Sequence, residues 1–77
     1  MSKYQKLALE HTNRCLRVLE EERKEKNEIT KGYYEKGLVN LSDKEWRDLN
    51  AKEDYIGGLA FAIGALTSTI EFIEKGE

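Results

Sequence analysis

The chain has 77 residues, 36% of them charged, with 13 Lys and Arg against 15 Asp and Glu and a net charge of −2. This length holds one domain whose single core is only marginally sufficient. The near balance of charge argues against a protein that binds nucleic acid by neutralising phosphates, which needs a basic surplus on one face.

Proline is absent, which removes the strongest helix breaker and fits long uninterrupted helices. The N-terminal Met1-Ser-Lys-Tyr-Gln-Lys lacks the apolar core of a signal peptide, and the one cysteine, Cys15, has no partner for an intrachain disulfide. The expected location is the cytoplasm.

A first helix is predicted over residues 3–36, with Ser2 as N-cap and Gln5 closing a capping box. Tyr4, Ala8, His11, Thr12, Cys15, Val18 and Leu19 define its expected apolar face, flanked by Leu7, Leu9 and Leu16. From Glu20 the chain becomes a mixed-charge run, in which Glu20–Lys24 and Glu22–Lys26 have the spacing of stabilising helical pairs. Ile29 and Tyr33 resume the stripe, so the helix is expected to continue through the run.

Residues 37–42 form the predicted turn. Gly37 suits the left-handed conformation that ends a helix, with Leu38 folding back on the last turn. Three start signals then coincide: Ser42 as N-cap, Glu45 completing a capping box, and Leu41 with Trp46 as a hydrophobic staple. The second helix is predicted over residues 43–75, stopped by Gly76, with a kink or short break at Gly57-Gly58.

Tyr55 to Ile70 is an uncharged stretch of sixteen residues. As a helix it spans about 24 Å, short of the ~30 Å hydrocarbon layer, so a membrane is not an expected partner. Ile56, Leu59, Ile63, Leu66, Ile70 and Ile73 recur at steps of three and four, the pattern of a packed seam. Two helices of about 50 Å with a short connection fold back as an antiparallel hairpin, placing residue i roughly opposite residue 79 − i. The charged run then faces residues 51–59, making the middle of the hairpin its most polar layer, with Lys52 in the seam.

A second stripe, Phe61, Ala65, Ser68 and Phe72, runs away from Ile63 on the same helix, and Gly64 leaves room for a close neighbour. Covering this stripe calls either for a bend of the first helix at Gly32 or for self-association, and a homodimeric four-helix bundle is the simpler solution. The expected oligomer or partner interface is therefore Ile56, Leu59, Phe61, Ile63, Gly64, Leu66, Ile70, Phe72 and Ile73.

Residue chemistry points away from an enzyme. His11 and Cys15 lie one turn apart, but a structural zinc site needs four ligands and a thiolate nucleophile needs an orienting group and an oxyanion donor. The carboxylates from Glu20 to Glu28 lack the Glu-x-x-His pairs of bundle metal sites and read as a solvated face. The glycines lack the lysine and hydroxyl residue of a phosphate loop. No metal or cofactor is expected.

The expected function is non-enzymatic binding of a partner protein, in the style of phage or mobile-element accessory factors that inhibit a host protein. The alternative is an oligomeric sponge for a small anionic, nucleotide-like molecule. Lys31, Tyr33, Tyr34, Lys36 and Trp46, clustered near the turn, would provide its surface.

Overall fold

The structure is a computed structural model describing residues 2–75. The chain is all-α among these residues: helix α1 spans Lys3–Lys36, a 3₁₀ turn spans Leu38–Asn40, and helix α2 spans Asp43–Glu74. The helices pack side by side as an antiparallel hairpin with a Cα envelope of 55 × 16 × 15 Å. The proposed stop at Gly76 lies outside the described residues.

Local chemistry sets the ends of the helices. The Ser2 amide donates to Gln5 Oε1 at 2.9 Å and the Gln5 amide to Ser2 Oγ at 3.1 Å. The same reciprocal box opens α2, where the Ser42 amide donates to Glu45 Oε1 and the Glu45 amide to Ser42 Oγ. Asp43 and Glu45 also place negative charge at the positive end of that helix. Gly37 ends α1 at φ 96° and ψ 127°, with the expected positive φ but an extended ψ in place of the left-handed helical one, and donates its amide back to the Tyr33 and Tyr34 carbonyls. A side chain there would be strained, and its Cβ would come within 2.9 Å of Asn40 Nδ2.

The core is a single thin seam. Leu49, at 2% exposure, is its most enclosed side chain; Leu59 and Ile63 are also buried, and Ile56, Leu66, Ile70 and Ile73 are half-buried along the same edge. On α1, Thr12 and Thr30 are buried, with their hydroxyls donating to the Ala8 and Asn27 carbonyls of their own helix. Leu9, Cys15, Leu16 and Leu19 are half-buried.

This face of α1 is rotated from the predicted one. Tyr4 and Val18 are 82% and 62% exposed, and Ala8 and His11 also lie in solvent. In the second half Thr30, rather than Ile29, turns inward beside Tyr33. The N-terminal part of α1 has apolar residues around most of its circumference, and the seam of α2 selects among them.

The helices also continue where glycine suggested interruption. α2 is unbroken through Gly57 and Gly58, because Ile56 and Leu59 anchor the turns on either side. α1 is unbroken through Gly32. A Cβ built at Gly57, Gly58 or Gly64 would meet nothing within 4 Å, so these glycines do not serve close packing inside the hairpin.

Candidate functional site

Two regions have enough side-chain variety to form a site: the turn-proximal cluster and the outer face of α2. In the first, the antiparallel register brings the end of α1 against the start of α2. Tyr33 Oη donates to Asp48 Oδ2 at 2.6 Å, and Lys36 Nζ reaches both Glu45 carboxylate oxygens at 2.8 and 2.7 Å. Tyr34 Oη donates to Glu53 Oε1, and Lys52 Nζ to Asp48 Oδ1 at 2.7 Å. Lys31 is on the exposed side of α1, 3.8 Å from Glu35, and Trp46 is 38% exposed on α2.

The structure therefore does not bring Lys31, Tyr33, Tyr34, Lys36 and Trp46 together as one basic, aromatic surface. Lys36 and both tyrosines are committed to carboxylates across the hairpin, and Lys31 points elsewhere. The shallow groove beside Tyr33 is lined by Lys44, Glu45, Arg47 and Asp48, two acids and two bases. It offers an anion no net positive field.

Farther along, Lys26 pairs with Glu22 at 3.1 Å and sits 5.8 Å above the centre of the Tyr55 ring, while Tyr55 Oη lies 3.4 Å from Glu22 Oε1. With Ala51 and Lys52 these side chains line another shallow groove. The polar middle of the hairpin is thus a set of satisfied pairs. His11 Nε2 is 3.7 Å from Cys15 Sγ, and among the described residues no three His, Cys, Asp or Glu side chains converge as metal ligands.

These pairs make stability depend on pH. The Lys52 ammonium, then the Tyr33 hydroxyl, holds Asp48 below the usual carboxylate range; Lys36, then the Ser42 amide, does the same for Glu45. A depressed carboxylate contributes stability that is present above its unfolded pKa and lost as pH falls through the folded one. Tyr33 is shifted upward, chiefly by its bond to Asp48, and Lys26 upward, chiefly by Glu22, so their contributions fade as pH rises through their folded values. Thermal melts should show a plateau around neutrality, with the melting temperature falling below about pH 4 and again above about pH 10. Asp48→Asn should flatten the acid limb. An acid limb unchanged in that variant would contradict the role given to the Tyr33–Asp48–Lys52 group.

The outer face of α2 has a different character. Phe61 and Phe72 are 81% and 65% exposed, and Gly57, Gly58, Gly64, Ala65 and Ser68 lie open between or beside them. Of the residues expected at an interface, Ile56, Leu59, Ile63, Leu66, Ile70 and Ile73 form the seam of the hairpin, whereas Phe61, Gly64 and Phe72 are left uncovered. Helix α2 is long and apolar enough to cross a membrane, by length and composition alone. The charged helix α1 lies alongside it.

The cross-helix pairs escaped the sequence reading because helix register gives which side chains are neighbours but not which carboxylate each tyrosine or lysine takes. The 79 − i rule already placed them near one another. No family model, curated protein or solved structure matches the chain.

Proposed function

We propose that this chain is a non-enzymatic binding protein that self-associates through the outer face of α2 and engages a partner protein in the assembled form. The observation that supports this reading is the exposure of Phe61 and Phe72 on a strip with no charged side chain between Tyr55 and Ile70. Two phenylalanines on one exposed apolar strip are unusual for a monomer, and such strips mark contact surfaces. A protein surface suits the strip better than lipid. Inserting α2 into a bilayer would carry the Glu20–Glu28 run of α1 with it or require the hairpin to open, and buried unpaired charge is costly.

The test is the mass of the purified chain by light scattering at tens of micromolar. The expected result is a dimer or larger species built from the 8.9 kDa chain. A monomer across that range would overturn the reading.

A further inference from the structure

The geometry points to a particular self-complementary mode of association, resting on the proposal that α2 self-associates: two copies pack α2 against α2 antiparallel, centred between Gly64 and Ala65. The first support is the amount of surface to be covered. The chain exposes 5860 Å². A compact monomer of 8.9 kDa exposes about 4,800 Å². The excess of about 1,000 Å² follows from the elongated 55 × 16 × 15 Å hairpin and is spread over both helices, and the long flank it leaves is large enough for one partner's share of a standard interface, about 800 Å².

The second support is how the face reads against itself. In the antiparallel register, Phe72 lies over Gly57 of the other copy, Phe61 over Ser68, and Gly64 over Ala65, so each large side chain meets a small one. A side chain could occupy the space above Gly57, where nothing from the hairpin comes within 4 Å. The same register sets Asp54, just before the uncharged stretch, opposite Lys75 beyond its end. Both are exposed, and among the described residues neither forms an ion pair within the chain.

A two-fold axis makes every such contact twice. A parallel pairing would stack Phe61 on Phe61 and Gly64 on Gly64, leaving gaps, and would set Asp54 against Asp54 and Lys75 against Lys75. Shape and charge therefore select the same antiparallel arrangement.

The experiment is sedimentation equilibrium of the full chain at low ionic strength, where charge effects are strongest. Circular dichroism of each variant serves as the check on folding. Asp54→Lys and Lys75→Asp should each weaken the dimer roughly tenfold, since two pairs change from attraction to repulsion, and the double reversal should restore it to within about twofold. Gly57→Leu should abolish the dimer by colliding with Phe72 of the other copy while leaving the hairpin folded. A wild-type dimer indifferent to all of these changes would overturn the antiparallel register but leave self-association standing. A wild-type monomer would overturn both, as would a chain that stays monomeric and floats with vesicles of phosphatidylcholine and phosphatidylglycerol.

Discussion

Leu49→Ala should destabilise the hairpin by about 3 kcal/mol, the middle of the range for emptying an enclosed leucine site. Leu49 is the most enclosed side chain of the seam, at 2% exposure. It lies at the level of buried Thr30, between the Tyr33–Asp48 bond and the Lys26–Tyr55 contact. Those polar groups cannot fill the space a truncated side chain would leave, because their bonds fix them. Small domains hold only about 5–15 kcal/mol in total, and this chain is near the lower size limit. The melting temperature should fall by roughly 15 °C or more, read by circular dichroism. A fall of only a degree or two would mean that Leu49 is not the keystone its burial suggests.

Replacing both Phe61 and Phe72 by serine should have the opposite profile, with helix content intact and association lost. Neither ring contributes much to the hairpin, since each is largely in solvent within one chain. Burying a phenylalanine contributes about 1.5–3 kcal/mol, and a symmetric dimer buries four, so the dissociation constant should rise by at least about a thousandfold. Light scattering should then give the monomer mass at concentrations where the wild type is assembled. The melting temperature should also lose its dependence on protein concentration, because mass action no longer couples folding to assembly. Equal masses and equal concentration dependence in the two proteins would remove the outer face from the account.

The features legible in the sequence were those decided within a few residues. Both capping boxes, the glycine at position 37 and the seam from Ile56 to Ile73 follow from local hydrogen bonding and helical period. The buried face of α1 was harder to read. Tyr4, Leu7 and Val18 compete with Leu9, Leu16 and Leu19 there, and only contact with α2 settles the rotation. Through Gly57-Gly58 the helix is unbroken, since a propensity cost near 1 kcal/mol per glycine is offset by seam contacts on either side. The turn-proximal aromatic and basic residues were visible as residues but not as partners of Asp48, Glu53 and Glu45. A carboxylate on the neighbouring helix converts a candidate ligand surface into a structural clasp.

The hairpin's one-dimensional layout also dictates an order of assembly. Lys36 and Glu45 are nine residues apart, whereas Glu22 and Tyr55 are separated by 33, and separation grows steadily with distance from the bend. Closing each successive layer adds little loop entropy once the previous one is shut, so the structure can zip from the bend outward. The free ends close last and open first. Phe72 belongs to those last layers, so a second molecule seated on it would act as the clamp that keeps the zipper shut.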